Sequence, residues 1–490
     1  MMETNEILTN LGLTALSEMQ QNAVELISHN MNAVLLAPTG SGKTLAFLLP
    51  LARSIRTDCD DVQAMVLSPT RELALQTLTV LTAMKTGIRA MCCYGGRPAM
   101  DEHRKMAALR PQVIIGTPGR LNDHIDKGNL RTQGVRMLVV DEFDKMFELK
   151  FQDEVEGLLG KVPQRHRCVL VSATDMEEIP LFAGFAHKVP AVLNWLESNH
   201  GSVAEGISHH LVRSEQKDKL ETLDHLLRSL GREQAVVFVN YREAVERTGN
   251  WLREEGHSVS LFHGGMEQQD REAALALFRS GCANVLVSTE LSARGIDVPS
   301  LQNVIHYHLP ASRENYIHRC GRTGRWENGG RSLVIVGPEE DVPQYEGVEL
   351  TDYALEPPYP APAKPEWAML YIGRGKRDKL GKGDIVGFLC KTGGLKAADI
   401  GMIDVRERYA HVAVRSSMVK QTLRNIAGEK IKKMSAKIEP IIARKGNKQC
   451  LFLQKNLKSS KICCCFGKGK EKLPYFCKQN RNKTKLRRIL

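Results

Sequence analysis

No apolar run in this sequence approaches the length of a membrane span, and blocks such as Ala33–Ala37 are the size of a buried strand. The first residues carry no basic flank and no apolar stretch behind them, so a secretory leader is not expected and a cytoplasmic protein is. Paired CxxC spacing is missing from the seven cysteines ahead of residue 443, which predicts buried reduced thiols rather than disulfides. No aromatic residue precedes Phe47. The body of the chain also lacks the basic excess that the net charge of +12 suggests. Of the 68 Lys and Arg, 15 lie in residues 443–490, where Glu471 is the only acid. The 53 basic and 55 acidic residues that remain leave the body near −2, so any nucleic-acid contact there must come from local patches.

What the sequence has is a rhythm. At 490 residues it exceeds one ordinary core, so two or three domains are expected. Short apolar segments, Ala33–Leu36, Ala64–Leu67, Val113–Ile115, Met137–Val140 and Cys168–Val171, alternate with helical stretches, the pattern of an open parallel α/β sheet. The pattern restarts at Ala235–Val239 and runs through Val285–Val287, Val304–Ile305 and Ser332–Val336, after a polar stretch near Leu196–Gly206. The expected division is a first lobe over 1–200 and a second over 206–340. A Pro-rich acidic linker over 341–365 follows, then a small βαββαβ unit over 366–442 and a tail over 443–490. The tail holds Cys450, Cys463, Cys464, Cys465 and Cys477 and shows no period. It reads as a disordered basic arm, with a poorly spaced metal site or an extension without a role as alternatives.

Ala37-Pro-Thr-Gly-Ser-Gly-Lys-Thr44 lies between a strand and an apolar helix, as a phosphate-binding loop does. Thr39, Gly40, Ser41 and Gly42 let backbone N–H groups face phosphate oxygens, Lys43 reaches the β- and γ-phosphates, and Thr44 ligates Mg²⁺. Ala37 replaces the first Gly of the strict pattern. Val139-Val140-Asp141-Glu142-Phe143-Asp144 ends a second buried strand and places two carboxylates where such sheets bind ligands. Asp141 would hold Mg²⁺ through water, and Glu142 would orient or deprotonate the attacking water. Arg322 and Arg325, in His318-Arg-Cys-Gly-Arg-Thr-Gly-Arg325, supply the fixed positive charge that phosphoryl transfer needs. They lie in the second lobe, so hydrolysis requires the lobes to close on ATP.

In this order the pieces resemble the DEAD-box RNA helicases of superfamily 2, over about residues 12–340. The likeness includes Ser17 and Gln20, Pro69–Leu73, Gly95-Gly96, Thr117-Pro-Gly-Arg120, Ser172-Ala-Thr174, Val237–Val239, Thr289 and Arg294-Gly-Ile-Asp297. It implies two RecA-like parallel-sheet lobes with ATP and Mg²⁺ as cofactors and RNA as partner. Gln20 and Ser17 would read adenine, and Asp297 would touch the ribose. Pro69, Thr70, Arg71, Gly96, Thr117, Gly119 and Arg120 would grip RNA from the first lobe, and Arg242, Gly264, Gln268, Thr289 and Arg294 from the second. Such contacts to phosphate and sugar carry affinity without sequence choice. Asp144, Ser172, Thr174 and His318 would couple hydrolysis to strand separation. The aromatic that stacks on adenine in the family is missing, Phe143 replaces the family's Ala, Glu290 stands where Asp is usual, and His306 and His308 where Asn and Asp are common.

The last folded unit resembles the RNA-binding domain of the DbpA subgroup through Lys382–Leu389, Gly394-Leu395 and Asp399–Asp404. That likeness implies a small RRM-like α+β domain. It also implies an RNA helicase, monomeric and cytoplasmic, that opens short duplexes on 23S-type RNA of the pre-ribosomal large subunit. Arg374, Lys376, Arg377, Lys379 and Lys382 form a basic cluster suited to phosphates, and Tyr409 is either a base-stacking ring or an ordinary core aromatic. A weakly hydrolysing RNA clamp and a DNA translocase of the same superfamily are the competing readings.

Overall fold

The computed structural model describes residues 4–441 apart from 97, 164–165, 175–189, 197–205, 291–300, 324–328 and 346. Arg294, Asp297, Arg325 and the whole tail from 443 therefore lie outside the described residues.

The first lobe is a parallel sheet of β1 (Asn32–Leu36), β2 (Ala64–Leu67), β3 (Ala90–Cys93), β4 (Val113–Gly116), β5 (Met137–Asp141), β6 (Arg167–Ser172) and β7 (Ala191–Asn194). Its order is β3-β4-β2-β5-β6-β1-β7. The central strands are continuous Val, Ile, Leu and Met runs because helices cover both faces, and those side chains are buried. The covering helices include α1 (Thr4–Leu11), α2 (Glu18–His29), α3 (Lys43–Ser54) and α4 (Arg71–Ala83), then α5 (Ala99–Leu109), α6 (Pro118–Asp126), α7 (Phe143–Glu148) and α8 (Gln152–Leu159).

The second lobe repeats the plan with β8 (Ile207–Arg213), β9 (Ala235–Val239), β10 (Val259–Phe262), β11 (Val285–Thr289), β12 (Asn303–His306), β13 (Gly330–Val336) and β14 (Thr351–Asp352), in the order β10-β11-β9-β12-β13-β8-β14. Its helices among the described residues are α9 (Leu220–Leu230), α10 (Arg242–Glu254), α11 (Gln268–Arg279) and α12 (Arg313–Cys320). The segment expected as a free linker is instead a strap laid along this lobe. Its Thr351–Asp352 adds β14 to the sheet edge, Tyr353 and Leu355 pack into the core, and the Tyr359 ring stacks on His225 at 3.9 Å.

The third unit is a four-stranded antiparallel sheet of β15 (Trp367–Ile372), β16 (Ile400–Val405), β17 (Ala410–Arg415) and β20 (Ile438–Pro440), with α13 (Lys382–Lys391) and α14 (Val419–Asn425) on one face. The order β16-β17-β15-β20 is that of the expected βαββαβ unit. A small extra hairpin, β18 (Lys430–Ile431) and β19 (Met434–Ser435), precedes the last strand. The other face of the sheet is not open. Trp367, Met369 and Ala413 pack on Ala276, Leu277 and Cys282 at the end of α11, and Arg406 Nη1 lies 3.6 Å from Glu272. Tyr409, the candidate base-stacking ring, pairs with Tyr371 at 5.7 Å and His411 at 4.9 Å beside that contact.

Candidate nucleotide site and RNA-binding face

Both lobes sort their candidate residues by strand position. In the first, the phosphate loop follows β1, Asp141 ends β5 and Ser172 ends β6, three neighbouring strands at one half of the sheet. Pro69–Arg71, Gly95–Gly96 and Thr117–Arg120 follow β2, β3 and β4, the other half. The second lobe divides likewise. Arg242, Gly264 with Gln268, and Thr289 stand at the ends of β9, β10 and β11, while His318 and Arg322 belong to α12 and its end, after β12. Strand C-termini are where open α/β sheets bind ligands, and the strand order turns one such edge into two sites.

The phosphate loop needs its glycines. Gly40 and Gly42 both have φ +87°, and a Cβ on Gly42 would stand 2.3 Å from Gln20 Nε2. Gln20 is fixed against it by a capping box. Ser17 Oγ accepts the N–H of Gln20 at 3.3 Å, Gln20 Oε1 accepts the N–H of Ser17 at 2.9 Å, and Gln20 Nε2 donates to Gly42 O at 3.3 Å. Lys43 Nζ folds onto Ala37 O at 2.5 Å and Pro38 O at 2.9 Å, and Thr44 follows it in the first turn of α3.

Asp141 is almost fully buried and accepts the N–H of Glu142 at 3.0 Å. Glu142 has φ +49°, a left-handed backbone that an L-residue adopts only when its surroundings enforce it. Burial pushes the Asp141 carboxyl upward, Glu142 adds to this, and Lys43 opposes it. Burial lowers Lys43, which Asp141, Glu142 and Asp144 partly offset, while the charge of Arg322 lowers it further. Arg322 is itself buried, with Nε donating to His318 O at 3.2 Å. The lobes therefore meet at the phosphate loop, and a Cβ on Gly321 would stand 2.0 Å from Thr39 Oγ1.

The expected coupling residues are brought together in part. Thr174 Oγ1 donates to Asp144 Oδ2 at 3.0 Å, the N–H of Thr174 donates to Ser172 Oγ at 3.0 Å, and Lys145 Nζ lies 3.3 Å from Asp144. His318 is buried on α12, with its carbonyl taken by Arg322. The unexplained Glu290 and His308 acquire a partner here. Arg319 directs Nε to Glu290 at 3.1 Å, Nη1 to the carbonyl of His308 at 2.8 Å and Nη2 to Asn240 at 3.1 Å. His306 is fully buried, 3.0 Å from Ser332 Oγ and stacked on Tyr316 at 4.9 Å. Phe143 also lies wholly inside the first-lobe core, its ring packed among apolar side chains.

On the other half of the edge, Arg71 Nη1 donates to Gln268 Oε1 at 2.9 Å, and the same guanidinium would be 2.5 Å from a Cβ on Gly96. Thr70 caps α4 through Leu73 N at 3.2 Å. Pro69 is buried, Gly119 exposed at the start of α6, and Gly264 lies 3.5 Å from Arg242 Nη2 by the position of its missing Cβ. No motif announces the ion pair beneath this face, Arg271 with Glu72, at 2.9 Å and nearly dry. In the third unit Lys376, Arg377, Lys379 and Lys382 are exposed, whereas Arg374 is tied to Asp378 at 2.9 Å and Ser435 O at 3.0 Å. Lys430, Lys432 and Lys433 of the extra hairpin enlarge the patch, with Lys432 Nζ donating to Lys379 O at 2.8 Å.

A family model described as DEAD/DEAH box helicase matches residues 17–179, one for the helicase conserved C-terminal domain matches 218–327, and one for the DbpA RNA binding domain matches 369–440. The chain is 33% identical over 442 residues to the ATP-dependent RNA helicase DbpA of Escherichia coli strain K12, covering 88% of this chain and 95% of that protein. The chain belongs to the DEAD-box helicases, in the DbpA group. DbpA of Bacillus subtilis strain 168 is 29% identical over 463 residues, covering 88% of this chain and 96% of that one. Among solved structures, Saccharomyces cerevisiae Dbp5 bound to RNA and ADP BeF3 aligns with a TM-score of 0.62 at 27% identity, over 71% of this chain and 93% of that one. Mss116 bound to ssRNA and UDP-BeF aligns at 0.62 and 26%, over 68% of this chain and 72% of that one. This DEAD-box protein is thus an ATP-dependent RNA helicase of two RecA-like lobes with a DbpA-type RNA-binding domain. None of its described helices is long and apolar enough to cross a membrane.

Proposed function

We propose that this helicase opens short duplexes in large-subunit ribosomal RNA during ribosome assembly, as a cytoplasmic monomer using ATP with Mg²⁺. The observation that carries the reading is the division of each sheet edge. It supports a nucleotide site beside a separate RNA face, and the close approach of Gly321 to Thr39 supports closure of the second lobe over the first. The DbpA-type domain, with its exposed basic patch, supports a structured ribosomal RNA as the anchor. The donors fit the expected metal, since Thr44 and Asp141 offer hard oxygens next to the phosphate loop. Bound there, Mg²⁺ would neutralise charge between the β- and γ-phosphates.

The residues of the chain do the rest. Gln20 and Ser17 read the base edge, and Asp297 holds the ribose. Thr39, Gly40, Ser41 and Gly42 cradle the phosphates, and Lys43 leaves the Ala37 and Pro38 carbonyls to reach them. Glu142 orients the attacking water, and Arg322 with Arg325 meets the charge that develops on the γ-phosphate. Arg71, Gly96, Thr117, Gly119 and Arg120 hold one RNA strand from below, and Arg242, Gly264, Gln268, Thr289 and Arg294 hold it from above. Asp144, Ser172, Thr174 and His318 report the phosphate state to that face. Lobe closure bends the gripped strand and releases its partner.

The test is RNA-stimulated ATPase with Glu142→Gln, paired with in-cell crosslinking of the full chain and of a version ending at Ile442. Stimulation by RNA that drops by about a hundredfold or more in the variant supports the enzyme reading. Ribosomal RNA crosslinks that survive truncation support the target. A wild-type rate indifferent to RNA, or crosslinks that depend wholly on the tail, refutes the corresponding part.

A further inference from the structure

One carboxylate underlies the RNA face of the first lobe. Glu102, on α5, is 5% exposed. Its Oε1 accepts the N–H of Tyr94 at 3.2 Å, the residue that leads into Gly95–Gly96. Its Oε2 lies 2.9 Å from His124 Nε2 and 3.6 Å from Arg120 Nη1, both on α6 one turn apart. Thr117, at the start of that helix, donates its N–H to Cys93 O at 3.2 Å, which closes the circuit between the two loops.

We propose that Glu102 is a positioning residue that sets the Gly95–Gly96 and Thr117–Arg120 loops, and the Arg120 guanidinium above all, in the register that RNA requires. The inference rests on the RNA reading of those loops. A buried carboxylate is costly, and an apolar residue at 102 would fill the same space without that cost. The charge is instead surrounded by a guanidinium, an imidazole and a backbone N–H from the two loops. The imidazole and the backbone N–H fix a direction as well as a distance, and the guanidinium at 3.6 Å adds its opposite charge. The Arg120 side chain is only 12% exposed, so water screens little of the attraction between its charge and the carboxylate.

A metal reading of the same cluster is weaker. Cys93 Sγ, a Glu102 oxygen and a His124 nitrogen lie within 4.8 Å of one another, a donor set that zinc accepts. The Arg120 guanidinium, however, already supplies the positive charge at that oxygen. Burial, with Glu102 adding to it, pushes the Cys93 thiol up to about 12, away from the thiolate a metal binds.

Glu102→Gln keeps the size and the acceptor for Tyr94 but removes the charge facing Arg120. In the full chain, the RNA concentration for half-maximal ATPase stimulation is expected to rise about tenfold, while the RNA-free rate and the KM for ATP stay at wild-type values. Combined with Arg120→Ala, it is expected to add nothing to the RNA defect of Arg120→Ala alone. Unchanged RNA dependence, or additive effects, overturns the proposal. Should Glu102→Gln fail to fold, Glu102→Asp, which keeps the charge but shortens its reach, is expected to show the same RNA-specific defect, and an unaffected Glu102→Asp overturns the proposal as well. Cobalt(II) titration supplies a further check. A thiolate-to-cobalt absorption band in the wild type that vanishes in Cys93→Ser and also in Glu102→Gln makes Glu102 a ligand and overturns the positioning role. A wild-type ATPase that ignores RNA refutes the reading of the loops themselves, whereas an RNA-stimulated wild type beside an unaffected Glu102→Gln refutes only this inference.

Discussion

A hydrogen atom is all that position 321 can hold once the lobes meet. The absent methyl would stand 2.0 Å from Thr39 Oγ1 and 3.0 Å from Thr39 Cβ, a contact that exists only because the second lobe reaches the phosphate loop. Gly321→Ala is therefore expected to lower RNA-stimulated kcat about tenfold while RNA-free nucleotide affinity is kept, which equilibrium binding and steady-state rates together check. At this scale the sequence was most informative where chemistry dictates residue type. Lys43, Asp141, Glu142 and Arg322 are named by what phosphates demand. The left-handed backbone of Glu142 was invisible because no local pattern signals it, and the forked bonding of Arg319 to Glu290 and His308 because its partners lie distant in the chain.

Helix α11 shows what one element does for three bodies. Its first turn reaches the first lobe through Gln268 and Arg271, and its far end carries Ala276 and Leu277 into the third unit. Arg271 and Glu72 are 11% and 6% exposed, so removing one leaves the other as an uncompensated charge in a nearly dry contact. Arg271→Ala is expected to weaken RNA binding in the presence of a non-hydrolysable ATP analogue by at least about tenfold, and much less without nucleotide, because the pair forms only between closed lobes. Fluorescence titration with labelled RNA reads both conditions. The central strands were legible as continuous apolar runs. The strands β3, β7, β10 and β14 were not, since each is a short strand at a sheet edge, and β8 hides behind His209 and His210. A short edge strand owes its existence to the neighbour it pairs with, which no local pattern reveals.

For the whole molecule, three histidines make acid the expected weakness. Burial lowers His209 and His411 to about 4 and His306 well below its ordinary value. The unfolded chain takes up protons near pH 6.5 that these folded sites refuse. Their contribution to stability is therefore full above that pH and drains as pH falls toward 4, approaching about 1.4 kcal/mol per pH unit for a fully buried ring and less for His209, which is only partly buried. Tm is expected to fall steadily between pH 7 and 5, and His306→Asn to flatten that slope. The arrangement of two lobes and a small third domain was legible from motif order and rhythm. The strap was not, because a Pro-rich acidic segment looks the same whether it floats or lies down.

That strap fixes a length. Tyr353, Leu355 and Tyr359 pin it to the second lobe, Asn284 Nδ2 holds Ala363 O at 3.1 Å and Lys364 Nζ holds Gly256 O at 3.0 Å, so almost no slack remains before the third domain begins at Trp367. Under the function proposed above, the enzyme would work as a pair of callipers, with one leg on an anchoring RNA and the other on the strand to be moved, and the strap would set the gap between the legs. A Gly-Ser insertion after Pro365 is expected to leave RNA-stimulated ATPase intact but to loosen the dependence of unwinding on the distance between anchor and duplex, measured on a series of RNAs with graded spacers. On that reading substrate choice becomes a matter of measured distance, and a helicase whose contacts are to phosphate and sugar would still select one duplex among many.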